Sequence, residues 1–137
     1  MTTNQTGNEG SVAIRNEHDV VTSRQLVRKL TQQLGFSLVD QTKMITAASE
    51  LSRNTLIYGG GGDMQWRLRL DGIRAGLTLA FVDQGPGIPD LDLAMKDGWT
   101  SGGGLGKGLS GSKRLVNEFE LASTVGQGTR VTITRWK

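Results

Sequence analysis

The stretch Leu77-Thr78-Leu79-Ala80-Phe81-Val82-Asp83-Gln84-Gly85-Pro86-Gly87-Ile88-Pro89 decides the fold. From Leu77 to Val82 it is apolar on both faces apart from one threonine, as a strand in the middle of a sheet requires. The run ends on Asp83 and breaks into Gly-Pro-Gly, which leaves a carboxylate at the lip of the sheet. Upstream, Met64, Trp66, Leu68 and Leu70 alternate with Gln65, Arg67, Arg69 and Asp71, a strand with one buried face, and Asp71-Gly72 turns it into the central one.

Farther back the period lengthens to that of a helix. One helix opens with Asn16 as N-cap and Asp19 as its partner, carries Val20, Val27, Leu30 and Leu34 on one stripe, and stops at Gly35. A second is capped by Ser37 ahead of Asp40, runs through Ile45, Ala48 and Leu51, and meets the glycines Gly59 to Gly62. Val12-Ala13-Ile14 forms a short strand before both. Downstream, a short helix is predicted over Asp90 to Lys96, a glycine-rich segment over Gly98 to Gly108, and a helix over Leu109 to Phe119. Strands Leu121 to Val125 and Arg130 to Trp136 flank Gly126-Gln127-Gly128 as a hairpin. The order β, α, α, β, β, α, α, β, β predicts an α/β two-layer sandwich with a mixed, mainly antiparallel sheet and helices on one face. Residues 1–10 are polar and read as a flexible tail; residues 11–137 read as one domain.

Composition narrows the chemistry. The chain has 137 residues, a net charge of +3, no cysteine and one histidine. Disulfides, thiol nucleophiles and the usual Cys/His zinc sites are excluded, and any Ser/His/Asp triad would have to use His18, which belongs to the first turn of a surface helix. The charge is too small to argue for nucleic acid without a basic stripe, and none is present. No apolar run approaches the roughly 20 residues needed to span a bilayer, and no secretory signal opens the chain, so no membrane partner and a cytoplasmic location are expected. Glycine numbers 20 against 2 prolines, about twice its usual share of some 7%, so the excess belongs to particular loops. The chemistry must come from carboxylates, amides, hydroxyls or a bound cofactor.

Three boxes could supply it. In Glu50-Leu51-Ser52-Arg53-Asn54, a carboxylate and a carboxamide share one helix face. An amide oxygen suits a hard cation such as Mg2+, and a carboxylate can take a proton from a nucleophile, although such a pair alone also fits a solvated polar face. At Asp83-Gln84-Gly85-Pro86-Gly87, an acceptor-only carboxylate can receive an exocyclic amine, and the glycines let backbone approach a flat ring; a plain turn is the other reading. In Ser101-Gly102-Gly103-Gly104-Leu105-Gly106-Lys107-Gly108, bare N–H groups, a helix start and a lysine suit a polyphosphate. It is not a Walker A loop, because Lys107 is followed by glycine; no strand precedes it as a dinucleotide fingerprint requires, and it lacks the companion motifs of protein kinases with a glycine loop.

These boxes in this order, with a final Gly126-Gln127-Gly128-Thr129, resemble the ATP-binding boxes of the GHKL superfamily, which holds histidine kinases, gyrase-type ATPases, Hsp90-type chaperones and bacterial anti-sigma or switch kinases. The resemblance runs from about Val12 to Lys137. Among these proteins the chain looks most like the RsbT-type switch serine/threonine kinases of bacterial stressosomes, through Glu50-Leu-Ser-Arg-Asn54, Asp83-Gln-Gly-Pro-Gly-Ile-Pro-Asp90 and Thr100-Ser-Gly-Gly-Gly-Leu-Gly106.

The resemblance implies a Bergerat fold and the cofactors ATP and Mg2+. It implies that Asn54 coordinates the metal and that Glu50 is the catalytic base. Asp83 would hold the adenine amine, Gly85 and Gly87 shape the base pocket, and Thr129 supports Asp83. Gly102, Gly103, Gly104, Leu105, Gly106, Lys107 and Gly108 would form a lid over the phosphates; Lys107 departs from the small residue the family often has there, so its role rests on charge. Arg53 is a second candidate for neutralising phosphate charge. The implied activity is phosphorylation of STAS-domain antagonist and scaffold proteins, followed by activation of a downstream phosphatase or other output enzyme. The alternative is a binding module that sequesters a sigma factor with ATP as a structural ligand.

Overall fold

A computed structural model describes residues 8–95 and 105–137. The elements are β1 (Glu9–Ile14), α1 (Glu17–Gln33), α2 (Leu38–Ile57), β2 (Gly62–Asp71), β3 (Arg74–Asp83), α3 (Leu91–Ala94), α4 (Leu105–Arg114), β4 (Glu118–Thr124) and β5 (Gly128–Trp136). The five strands form one sheet in the order β1-β2-β3-β5-β4. Each described pairing is antiparallel, so the parallel component allowed for in a mixed sheet is not found among the described residues.

Local chemistry sets the helix ends. The Asn16 side chain accepts the Asp19 N–H at 2.9 Å, satisfying a donor that the first turn of α1 leaves open, and the Asp19 carboxylate reaches back to accept the Arg15 N–H, just before the cap, at 2.8 Å. Ser37 does the same for α2, accepting the Asp40 N–H at 3.1 Å. Between them Gly35 takes a φ of +79°, the left-handed turn that ends α1.

Packing then follows the two periods. Met64, Trp66, Leu77, Leu79, Phe81, Val131 and Ile133 line the inner face of the sheet and are buried against Val20, Val27, Leu30, Met44, Ala48 and Leu51 of α1 and α2. The alternate residues Gln65, Arg67 and Arg130 are exposed on the outer face. β3 is the central strand, as its continuous apolar run predicts. Arg135 on β5 bonds the Asp40 carboxylate and the Leu115 carbonyl, tying the start of α2 to the sheet.

Three boundaries differ from expectation. β1 starts at Glu9 instead of near Val12, pairing Glu9 with Arg67 and Gly10 with Trp66 inside the expected tail. The helix expected over Leu109 to Phe119 is α4, four residues earlier at its start and five at its end. Glycines 106 and 108 read locally as breakers, yet both lie within α4, which packs along α2. Phe119 belongs instead to β4, where Glu118, Phe119, Glu120 and Leu121 alternate exposed and half-buried in strand fashion. The short helix is confined to Leu91–Ala94, and Lys96 and the tryptophan at 99 lie outside the described residues.

Candidate functional site

α2 ends beside the tip of β3, and a cavity of about 240 Å3 opens between them. Leu51, Asn54, Thr55, Tyr58 and Gly59 of α2 and its end form one wall. Asp83 and the loop Pro86–Pro89 form the second, with Thr129 and Val131 of β5 and Leu109 of α4 closing it. The cavity is mostly apolar with a few convergent polar groups, the usual make-up of a site for a flat organic ligand.

Asp83 anchors one end. Its Oδ1 accepts the Gly85 N–H at 2.8 Å, which turns the chain out of β3. Gly59 presses on the same carboxylate: a Cβ there would lie 2.4 Å from the Asp83 Cγ, so no larger residue fits without moving the acid. A Cβ on Gly85 would meet the Gly59 Cα at 2.8 Å, so Gly85 shapes the pocket from behind and does not line it. Gly87 adopts φ +78° and packs on the Thr124 carbonyl, where a Cβ would approach to 2.5 Å. Together these contacts fasten the loop to the β4–β5 hairpin, helped by the Gly126 N–H to Pro86 carbonyl bond of 2.8 Å.

Thr129 stands opposite Asp83 in the register of β3 and β5. Its hydroxyl lies 2.8 Å from Ser123 Oγ, so the partner found is on β4 and is not Asp83 itself.

The other end is different in kind. Asn54 projects into the cavity with its Nδ2 buried and without a partner, and the buried Tyr58 hydroxyl is likewise unpartnered. A buried polar group left unpaired costs on the order of 1–3 kcal/mol, so two in one cavity mark a place where a polar ligand belongs. Glu50, one helix turn earlier, is exposed and outside the cavity lining. Arg53 is paired with Glu17 of α1 at 3.3 Å and does not line the cavity.

Of the expected lid, Gly102, Gly103 and Gly104 lie outside the described residues. The backbone of Leu105, Gly106, Lys107 and Gly108 forms the first turn of α4, while their side chains are outside the description. Among the described residues no three His, Cys, Asp or Glu side chains gather as a metal site. Sequence reasoning missed Tyr58, Gly59 and Ser123. Tyr58 had a signal, since Glu50, Asn54 and Tyr58 follow each other at steps of four on one helix face.

The sequence profile of the histidine kinase-, DNA gyrase B- and HSP90-like ATPases matches residues 39–137. The serine/threonine-protein kinase RsbT of Bacillus subtilis is 44% identical over 128 residues, which cover 93% of this chain and 96% of that protein. The chain belongs to the GHKL ATPase family, as a serine/threonine kinase of the RsbT type. ATP binding is the property implied by that membership. The anti-sigma F factor of Thermoanaerobacter sp. is 28% identical over 83% of this chain and 82% of its own, and that of Clostridium novyi 29% over 80% of each. A crystal structure of the RsbU and RsbW domains of a Mycobacterium tuberculosis protein superposes with a TM-score of 0.63 at 17% identity. It covers 96% of this GHKL chain, which spans about a third (33%) of that longer one, and it shows the fold alone.

Proposed function

We propose that this kinase transfers the γ-phosphoryl group of ATP to a serine or threonine of a STAS-domain antagonist or scaffold protein in the cytoplasm, and on release engages a phosphatase or other output enzyme. One observation carries the proposal: Asn54 and Asp83, from separate boxes, line a single cavity in which the buried Asn54 Nδ2 and Tyr58 hydroxyl lack partners. Asp83 accepts the adenine amine, and the apolar walls Leu51, Ile88 and Val131 receive the ring. The Asn54 amide fits Mg2+, a hard cation that takes oxygen ligands and is commonly held by few protein groups plus substrate phosphates. When bound, the metal neutralises charge on the phosphates. Gly102 to Gly108 cover those phosphates, with Lys107 adding one positive charge.

The acceptor hydroxyl oxygen attacks the γ-phosphorus, the bond from that phosphorus to the bridging oxygen breaks, and ADP departs. Glu50 takes the hydroxyl proton. Its exposure suits this role, because the acceptor is a side chain of another protein and must reach it from solvent. Likeness to the RsbT kinase of Bacillus subtilis supports the reading.

Incubation with radiolabelled ATP, magnesium and isolated STAS domains tests it. Label on serine or threonine is expected with the wild-type chain, and none with Asn54→Ala, which also loses Mg-ATP affinity. Absence of transfer to any such domain, with Glu50 intact, ends the claim. Likeness to anti-sigma F factors favours a second reading, capture of a sigma factor with ATP in a structural role. Pull-down of a sigma factor by wild type and Asn54→Ala alike would support that one instead.

A further inference from the structure

Ser123, the second-last residue of β4, is half-buried behind the base end of the cavity and meets three groups, one on the Ile88 loop and two at the start of β5. The Ile88 N–H donates to its Oγ at 2.8 Å, its hydroxyl donates to the Gly128 carbonyl at 3.0 Å, and the Thr129 Oγ1 lies 2.8 Å away. A serine hydroxyl owns one proton. The Gly128 carbonyl can only accept, so that proton is committed to it; the Ile88 amide can only donate. The third bond must then run from the Thr129 hydroxyl to Ser123.

That spends the single proton of Thr129, a residue that lines the cavity, and leaves its oxygen only lone pairs to offer a ligand. Asp83, opposite Thr129 in the sheet register, is also an acceptor when ionised, and the Gly85 N–H already occupies its Oδ1. The base end of the cavity therefore shows two acceptors side by side and no hydroxyl proton.

We infer that Ser123 is a positioning residue: by fixing the direction of the Thr129 hydroxyl it makes the pocket select a purine bearing an exocyclic amine over one bearing a carbonyl at that place. The inference rests on the nucleotide reading above and deepens it. A second acceptor beside Asp83 welcomes an amine, which has two protons to give, and repels a carbonyl oxygen, which leaves all the lone pairs facing each other unpaired.

The test is competition binding of ATP and inosine triphosphate, whose base carries a carbonyl in place of the amine, to the full chain with magnesium. Wild type prefers ATP. Ser123→Ala frees the Thr129 proton to turn toward the cavity and lowers that preference about tenfold, the worth of a hydrogen bond changing sides. Ser123→Thr, which keeps a hydroxyl, retains it. If Ser123 merely staples the Ile88 loop to β4, both affinities fall together in Ser123→Ala and their ratio stays put; that result, or loss of preference in Ser123→Thr as well, overturns the inference while ATP binding stands.

Should Ser123→Ala fail to fold, Thr129→Val decides the matter by sign. Removing an acceptor lowers the preference for ATP, whereas removing a donor, the contrary case, raises it. A wild-type chain that binds neither nucleotide sinks the proposed function, and this inference with it.

Discussion

The two ends of the cavity are built in opposite ways. At the Asp83 end, the groups that would recognise a base already have partners: Asp83 holds the Gly85 amide, Thr129 holds Ser123, and Ser123 holds Ile88 and Gly128. Gly59, Gly85 and Gly87 pack so closely there that a methyl group would collide. At the Asn54 end, the amide Nδ2 and the Tyr58 hydroxyl are buried without partners, and Glu50 stands in solvent. Recognition is thus assembled by the fold in advance, because strands and a stapled loop hold it rigid. The reacting end keeps unsatisfied groups whose cost only an arriving ligand can offset.

Substitutions at the two ends should separate accordingly. The largest effect falls on Glu50→Gln: transfer to the acceptor drops by about 100-fold or more, the usual worth of acid–base assistance, while calorimetry finds ATP affinity unchanged. Equal loss of both would merge the two ends into one functional unit. Next comes Gly59→Ala, whose added methyl displaces the Asp83 carboxylate; ATP affinity falls by about tenfold or more, the worth of a hydrogen bond to a charged group, with the transfer rate at saturating ATP little altered.

Tyr58→Phe sharpens the contrast further. Deleting a buried hydroxyl that has no partner raises the stability of the nucleotide-free chain by about 1 kcal/mol and at the same time weakens ATP binding several-fold, visible as a melting temperature that rises without nucleotide and gains less from it. A drop in nucleotide-free stability would show that the hydroxyl is already satisfied.

The smallest effect lies away from the cavity, at Asp40. The hydrogen bond from Arg135 holds its carboxyl below the usual aspartate value, ahead of the Arg135 charge, with burial working in the opposite direction. A depressed native pKa means that the pair stabilises the fold fully above the unfolded value near 4, and that this contribution is lost as pH falls through the lower native one. Asp40→Asn therefore lowers the melting temperature by about 3 °C at pH 7 and by less at pH 3, while leaving nucleotide affinity alone. An equal shift at both pH values would show that charge at Asp40 is not what matters.

Much of this molecule is written in short-range pattern. Asn16 and Ser37 announce their helices because a cap is made within three residues, and the switch from a helical to an alternating period marks β2 because side-chain direction along a strand is local. The N-terminal limit of β1 escaped for the converse reason: Glu9 and Gly10 are ordered by pairing with Arg67 and Trp66, more than fifty residues away. The helix at α4 was expected, but its start four residues earlier escaped, since glycines have low intrinsic helix preference and α4 packs along the distant α2.

By itself, then, the sequence determined the order of elements, the central place of β3, and which residue types could bind a nucleotide; each follows from periodicity, capping or the donor inventory of a side chain. Tertiary structure alone decided that Gly59 buttresses Asp83, that Arg53 turns to Glu17, and that Ser123 reaches Ile88 across 35 positions of chain to orient Thr129. Such contacts depend on the meeting of segments remote in sequence, and no local pattern encodes the direction of a hydroxyl proton that is set only once the Ile88 loop has docked on the β4–β5 hairpin.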